Sequence, residues 1–192
     1  MTAKTSGFDP HIIKELLTVS LQNSVASMGS ANFSKPPEFS EHELIEYESR
    51  MRVFGLEKFG LPCYISYVNF FLPQADIKKD MPIGTFLVFL EHNNAVRLLK
   101  SLGYTHINED EDETILGKTG EFCVAMAKQL KTTLTQKGYK ELTISDPLNY
   151  KNDIPEGVPF YYHEEKCYQL DFFFWKQKNL IFNLTLGPVP TK

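Results

Sequence analysis

The sequence lacks the long apolar segments that membrane-spanning and secreted proteins need. No stretch approaches the about 20 consecutive apolar residues that cross a bilayer, and the amino-terminal residues MTAKTSGFDP hold no apolar core of the length found in signal peptides. Cysteine is also scarce. Cys63, Cys123 and Cys167 are odd in number and far apart, which favours reduced thiols in a core over a disulfide framework. We therefore expect a cytoplasmic protein without a membrane anchor.

Positive charge is in short supply as well. The 192 residues include 20 Lys and Arg against 24 Asp and Glu, which gives a formal net charge of −4. A protein that binds the phosphate backbone of nucleic acid needs clustered Lys and Arg to displace counterions. We therefore do not expect a nucleic-acid partner.

Motifs for nucleotide, metal and nucleophile chemistry are missing. The sequence contains no G-x-G-x-x-G, no Walker loop, no G-x-S-x-G, no H-E-x-x-H and no C-x-x-C. Its five histidines are never three or four residues apart, so no helix would present two of them to one ion: His11, His42, His92, His106 and His163. We predict no cofactor and no metal site, and hence an action that depends on a protein partner.

The composition is that of a globular protein with a phenylalanine-rich core. Hydrophobic residues make up 42% of the chain and charged residues 23%, with 15 Phe and 9 Tyr. These values are near the averages for folded domains, and no change of character divides the sequence midway. We predict one domain that spans residues 1–192.

Helical patterns occur at the amino terminus and in the middle of the chain. Asp9-Pro10 is a good helix start, and a stripe of apolar residues then predicts a helix that ends near Gly29. A loop is expected over Ser30–Phe39, followed by a short helix that opens at the capping-box pattern Ser40–Glu43 and runs toward Val53. A third helix is predicted from Glu91, with Ala95, Leu98, Leu99 and Leu102 facing inward and Gly103 as its stop.

Strand patterns form two groups. The first group is a predicted antiparallel pair, Pro62–Phe71 and Ile83–Leu90. The second group follows Gly138 and comprises Tyr139–Ile144, Val158–His163, Lys166–Trp175 and Leu180–Leu186, with hairpin-like links at Glu164-Glu165 and Lys176–Asn179. Because strands and helices are grouped rather than alternating, we predict an α+β fold with an antiparallel sheet packed against long helices.

The longest helix is predicted from about Glu113 to Lys137. The preceding acidic run, Glu109–Glu113, suits the positive end of a helix dipole. At 100° per residue, one narrow stripe should enter the core: Leu116, Gly120, Cys123, Ala127, Leu130 and Leu134. The outer side and flank then carry Gly117, Glu121, Val124, Ala125 and Lys128. Glu121 is thus presented among small residues, either as an ordinary solvated side chain or as part of a contact surface.

A family resemblance bears on this choice. Gly120-Glu121, Val124-Ala125 and Ala127-Lys128, followed by Leu142-x-Ile144-Ser145-x-Pro147, resemble the signature helix and next strand of the CheC/CheX chemotaxis phosphatases. The strand Gly84–Glu91 and the helix after it are similar to the segment before that signature. The resemblance covers most of the chain except about residues 30–61, which would form an atypical insert.

The resemblance implies a protein that docks on a phosphorylated response-regulator receiver, such as CheY, and hastens loss of its aspartyl phosphate. The family signature is E-x-x-N, in which the asparagine holds a water in line with the phosphorus and the glutamate engages the receiver's lysine. Glu121 matches the glutamate and is the candidate catalytic residue, whereas Val124 stands in place of the asparagine and cannot hydrogen-bond water. On the first helix, Glu15-x-x-Thr18 departs from the signature at the same place.

Three hypotheses follow. In the first, the chain is an active receiver phosphatase in which another group orients water. In the second, it is a non-catalytic module that binds receivers or forms a homodimer by joining sheets edge to edge, as the resemblance implies. In the third, it is an interaction protein of unrelated role. In the first two, the partner-binding residues are Gly117, Glu121, Val124, Ala125 and Lys128.

Overall fold

The computed structural model describes residues 11–73, 81–161 and 164–192. The predicted helix start at Asp9-Pro10 lies outside these ranges. The helices are α1 (His11–Glu15), a π-helical segment (Leu16–Leu21), α2 (Gln22–Ser27), α3 (Gly55–Phe59), α4 (His92–Ser101) and α5 (Asp112–Gln136). The strands are β1 (Lys35–Glu43), β2 (Glu46–Tyr47), β3 (Arg50–Phe54), β4 (Cys63–Phe71), β5 (Gly84–Glu91), β6 (Thr143–Ile144), β7 (Leu148–Lys151), β8 (Asp153–Val158), β9 (Lys166–Phe174) and β10 (Gln177–Leu186).

A large antiparallel sheet organises the molecule. Its strand order is β1-β9-β10-β5-β4-β6, and β7 also pairs with β4. The predicted strand pair is confirmed, since β4 and β5 pair antiparallel with Tyr64 opposite Leu90. The predicted hairpin of the last two strands is also confirmed, with β9 and β10 joined through Trp175 and Lys176 in left-handed backbone conformations. The fold is therefore α+β, as the sequence predicted.

One face of the large sheet is covered by helices. The first helix, formed by α1, the π-helical segment and α2, packs with α4 and α5 on this face. Aromatic rings fill the layer between, and Phe86, Phe122 and Phe172 surround Phe182 with ring centroids 4.9 to 5.8 Å away. All four rings are fully buried, so each removes a large apolar surface from water. This layer forms the main core.

A smaller layer covers the opposite face of the large sheet. The three-stranded sheet β2-β3-β8 places Met51, Val53 and Ile154 against the sheet residues Ile65 and Phe89. These residues form a second core that is separate from the aromatic layer under the helices. The large sheet therefore has a helical face and a face covered by a small sheet.

The prediction for residues 30–53 was wrong. The expected loop contains β1, and the expected helix is replaced by the end of β1 and the hairpin of β2 and β3. Strand β1 lies at the edge of the large sheet and pairs with β9, with Phe39 opposite Leu170. An edge strand needs little apolar alternation because much of it faces solvent. The Ser40 hydroxyl, expected to cap a helix, instead hydrogen-bonds the ring of His42 at 2.9 Å.

Two strand predictions and one hairpin prediction near the carboxyl end were also wrong. A strand was expected over Val158–His163, but the observed strand β8 lies earlier, at Asp153–Val158, and pairs with β3 in the small sheet. Tyr162 and His163 lie outside the described residues. Consequently Glu164-Glu165 does not link a hairpin. The strand expected over Tyr139–Ile144 is reduced to β6, and β7 was not predicted.

The other helix predictions were confirmed with small changes. The first helix ends at Ser27 and α4 at Ser101, each two residues before the predicted glycine stop. The Glu91 carboxylate caps α4 by accepting a hydrogen bond from the Asn93 backbone N–H at 2.8 Å. All three cysteines are free and buried, as predicted. Within the described residues, no helix is both long and apolar enough to cross a membrane.

Candidate docking site on the long helix

Packing against the large sheet fixes the orientation of α5. Its buried side comprises Ile115, Thr119, Gly120, Phe122, Cys123, Met126, Ala127, Leu130 and Leu134. The predicted stripe is confirmed except at Leu116, which is only half-buried because the helix turns Ile115, Phe122 and Met126 further into the core. The Thr119 hydroxyl donates to the Ile115 carbonyl at 2.8 Å, so this buried polar group is satisfied within the helix.

The first residue of α5 is tied to two strands. Asp112 accepts hydrogen bonds from the Tyr64 hydroxyl at 2.6 Å and from Lys151 Nζ at 2.5 Å. The hydrogen bond from Lys151, followed by that from Tyr64, holds the pKa of Asp112 below its usual value. Burial and the same carboxylate raise the pKa of Tyr64. A carboxylate at this end is also favoured by the helix dipole, so the start of α5 is held by charge as well as by packing.

The five predicted partner-binding residues share the solvent side of α5. Gly117, Glu121 and Lys128 are exposed, and Val124 and Ala125 are half-buried against the core. An added Cβ at Gly117 would meet no atom within 4 Å, so the surface beside Glu121 is open. The structure thus brings these residues together on one face, while their role in binding stays a prediction.

Two residues that the sequence analysis missed flank Glu121. The Glu121 carboxylate forms an ion pair with Lys118 Nζ at 2.7 Å, one helical turn earlier. Tyr104, in the segment after α4, packs its ring edge-on against Phe122 with centroids 6.2 Å apart. Burial, and then the negative charge of Glu121, raise the pKa of Tyr104 to about 12. The i, i+3 spacing of Lys118 could have been recognised, but Tyr104 comes from a separate segment.

A close approach between α5 and β7 explains the glycine that precedes Glu121. A Cβ at Gly120 would lie 2.8 Å from Asn149 Oδ1 and 3.0 Å from Asn149 Nδ2. Glycine is therefore needed for the Asn149 side chain to lie against the helix. The Asn149 Oδ1 atom is buried and has no hydrogen-bond partner. An amide consequently lies against α5 at the residue one helical turn before Val124.

The partial signature on the first helix is engaged in local contacts. Glu15 forms an ion pair with Lys137 Nζ at 2.7 Å, which joins the first helix to the end of α5. The Thr18 hydroxyl donates to the Lys14 carbonyl at 2.7 Å. The π-helical segment that begins at Leu16 changes the register of the residues after it. Glu15 therefore contacts α5, whereas Thr18 is hydrogen-bonded within its own helix.

The outer face of α5 presents a carboxylate and small residues to solvent. Glu121 is a carboxylate that accepts hydrogen bonds and attracts cations, and Gly117 and Ala125 allow a close approach by another chain. Within the described residues, no group of three or more His, Cys, Asp or Glu side chains is placed to hold a metal ion. The face is convex and solvated, which suits a docking surface better than a substrate cleft.

Comparison with solved structures shows the class of fold. CheX from Desulfovibrio desulfuricans superposes with a TM-score of 0.58 at 9% identity, covering 92% of this chain and 99% of that one. The CheX–CheY–BeF3–Mg2+ complex from Borrelia burgdorferi gives 0.52 at 14% identity, covering 91% and 97%. FliY from Thermotoga maritima gives 0.56 at 11% identity, covering 98% and 93%.

The chain therefore has the α+β fold of CheX and CheC-like chemotaxis proteins over nearly its whole length. The sequence resemblance to that family is matched by the architecture. No protein-family model matches the sequence, and a search by sequence found no similar curated protein. With identities of 9–14%, the likeness defines the fold and leaves the activity to be argued from the site.

Proposed function

We propose that this protein docks on a phosphorylated response-regulator receiver through the outer face of α5. The observation that supports the proposal is the position of Glu121, exposed on a long, firmly anchored helix between Gly117 and Ala125. The chain has the fold of CheX, and the Borrelia burgdorferi CheX was solved in complex with CheY. A role in chemotaxis or two-component signalling follows from this proposal.

Docking would require Glu121 to leave Lys118 and form an ion pair with a lysine of the receiver, and the exposure of the Glu121–Lys118 pair is compatible with this exchange. The Glu121 side chain is 56% exposed and that of Lys118 is 26% exposed, and ion pairs at a surface contribute only about 0–1 kcal/mol. A lysine of the receiver could therefore replace Lys118 at small cost. Lys128 lies about two turns further along the same side, where its ammonium group would attract the acidic surface of a phosphorylated partner.

Val124 favours a binding module over a phosphatase. Valine has no atom that can orient an attacking water, and its side chain packs partly against the core. In this form of the proposal, Glu121 serves docking, and the chain holds or competes for the phosphorylated receiver. Formation of a homodimer through exposed sheet edges belongs to the same proposal.

A second candidate function is dephosphorylation of the receiver, and one observation favours it. Asn149 places an amide against Gly120, which lies one helical turn before Val124. An amide is the group that the signature position lacks. The Asn149 Oδ1 atom is buried in the free protein, so in this version the side chain would turn outward on docking to orient water, with Glu121 engaging the receiver.

The decay of phosphate on a CheY-type receiver distinguishes the two functions. The receiver is phosphorylated with acetyl phosphate and Mg2+, and decay is followed with and without the protein at comparable concentration. A binding module leaves the decay unchanged while forming a complex. A phosphatase accelerates it, and Asn149→Ala should then remove the acceleration without removing the complex.

A gain-of-function variant sharpens this test. Val124→Asn restores the amide on the docking face, and we expect it to raise the decay rate at least about tenfold if docking is intact, because positioning of water supplies much of phosphoryl-transfer catalysis. Val124→Leu, whose side chain has nearly the shape of asparagine but no hydrogen-bonding group, is the control. A folded Val124→Asn protein that neither binds nor accelerates decay would contradict the receiver proposal.

A further inference from the structure

A cavity of about 330 Å³ lies on the side of the large sheet opposite α5. It opens between β3 and the end of β1 on one side and the strands β9 and β10 on the other. Met51, Val53 and Phe89 supply apolar walls, while Cys167, Gln169 and Asn183 supply buried polar ones. The outer face of α5 contributes nothing to it, so its contents are independent of receiver docking.

Lys58, from the last turn of α3, points its ammonium group into the wall of this cavity. Lys58 Nζ donates to Gln169 Oε1 at 2.7 Å. The Asn183 amide is best oriented with its nitrogen donating to Gln169 Oε1. In that orientation the Asn183 oxygen accepts a second hydrogen bond from Lys58 Nζ at 3.2 Å. Both acceptors are neutral. An ammonium group has three donors, so one remains for a further acceptor.

The charge of Lys58 is incompletely balanced by the protein. In the described part of the chain, no carboxylate lies within ion-pair distance of its Nζ, and the nearby Asp171 is instead paired with Lys178 at 3.3 Å. Burial lowers the pKa of Lys58, against smaller opposing effects from Cys167 and Asp171. A partly buried cation held by two neutral amides is costly unless an anion accompanies it.

The remaining charges at the cavity indicate how many negative charges a ligand should carry. Lys58, Arg52 and Lys178 line it together with the carboxylates Glu43 and Glu57, and Lys178 is already paired with Asp171. With His42 neutral these six charges cancel, so the site has no excess positive charge for a dianion such as a phosphate monoester, which would also meet two carboxylates. A single carboxylate would match the one charge of Lys58, and the apolar walls would surround the body of the molecule.

We infer that this cavity binds a small organic monocarboxylate, whose carboxylate is held by Lys58 and whose apolar body lies against Met51, Val53 and Phe89. Arg52 flanks the opening, where its guanidinium group is stacked over Tyr47 at 4.3 Å. This stacking orients the guanidinium plane and leaves its edge able to donate hydrogen bonds. The site would thus recognise both the negative charge and the apolar body of the ligand.

The test uses three probes, phenylacetate, hexanoate and cyclohexanecarboxylate, titrated into the full chain while backbone amide resonances are recorded by NMR. We expect saturable shifts at Cys167, Gln169 and Asn183 at millimolar concentrations for at least one probe. The neutral isostere phenylacetamide should bind at least about tenfold more weakly than phenylacetate, because it lacks the charge-assisted hydrogen bond to Lys58. Phenyl phosphate, a dianion, should also bind more weakly.

Lys58→Met removes the charge but keeps a side chain of similar length, and an apolar replacement at a partly buried cation is compatible with folding. We expect this variant to lose the preference for carboxylate over amide, whereas the control Lys100→Met, on the exposed side of α4, should retain it. Absence of saturable shifts for all three probes would overturn the inference. Equal binding of phenylacetate and phenylacetamide, or full retention of carboxylate binding by Lys58→Met, would overturn it as well.

Discussion

The two faces of the large sheet differ in what they bury. The helical face is filled by apolar and aromatic side chains, with Phe182 at the centre of its ring cluster. The opposite face buries Gln169, Asn183 and Thr85 and borders a cavity. On the helical side, apolar side chains fill most of the space between the sheet and the helices, and the proposed docking surface faces outward on α5. The small-sheet side keeps polar groups and space between its layers.

The largest expected effect is the difference in stability lost when a core residue is truncated on one face of the large sheet or on the other. Phe182→Ala removes a fully buried ring from the aromatic layer and should lower the free energy of unfolding by about 3–5 kcal/mol. Met51→Ala, in the thinner layer, should cost about 2 kcal/mol, near the lower end for such changes, because the side chain borders an existing cavity. Chemical denaturation measures both. Equal losses would show that the two layers are packed equally tightly.

A pair of glycines on α5 gives the next largest contrast. Gly120→Ala brings its Cβ to within 3.0 Å of the Asn149 amide, which must shift, and after the gain in helix propensity it should destabilise the protein by about 1 kcal/mol. Gly117→Ala meets no neighbouring atom and should stabilise the helix by about 0.5–1 kcal/mol. Thermal unfolding of the two variants measures the difference. Destabilisation by Gly117→Ala would mean that its surface is already packed against part of the chain.

The added methyl group of Gly117→Ala also tests docking. Because Gly117 lies one turn before Glu121 on the outer face, we expect the more stable variant to bind a phosphorylated receiver more weakly. A binding assay at fixed protein concentration measures this effect. Unchanged affinity would place the contact surface elsewhere on the helix.

The smallest effect concerns the anchored start of α5. The pKa of Asp112 is lowered in the folded state by Lys151 and Tyr64, so its ionised form stabilises the fold above the unfolded pKa of about 3.9. Asp112→Asn should therefore be less stable at neutral pH, by less than about 1 kcal/mol because solvent screens a half-exposed ion pair.

That difference should disappear as the pH falls through the folded pKa of Asp112, where the wild-type carboxylate is protonated as well. Unfolding curves at neutral pH and at successively lower pH, until the wild-type Asp112 carboxylate is protonated in the folded protein, provide the comparison. A gap between wild type and Asp112→Asn that persists in acid would assign the effect to packing rather than to charge.

Periodicity explains which parts of the fold could be predicted. In α5 the apolar residues recur at helical spacing, and in β4 and β5 a dense run of aromatic and β-branched residues marks two strands buried on both faces. In the small sheet, the sequence contains residues that disfavour strands and lacks the usual residues that mark a turn. Its β8 contains Pro155 and Gly157, which disfavour a strand, and the turn between β2 and β3 uses Glu48 and Ser49 in left-handed conformations without a glycine to mark it.

The candidate site was predictable only where it lies on one element. The outer face of α5 follows from helix geometry, so Gly117, Glu121 and Lys128 were placed together correctly. Tyr104 and Asn149 reach the same region from distant segments, and the sequence carries no short-range signal for such contacts. The cavity was not predictable for the same reason, since Lys58, Gln169 and Asn183 belong to α3, β9 and β10.

The most direct test of the central claim is receiver binding by a charge reversal on α5 and its matched control. Glu121→Lys and Glu109→Lys each reverse an exposed carboxylate paired with a lysine, 56% and 63% exposed respectively, but only Glu121 lies on the outer face of α5. Binding to a phosphorylated CheY-type receiver should be lost in Glu121→Lys and retained in Glu109→Lys. Equal binding by the two variants would contradict docking through this face.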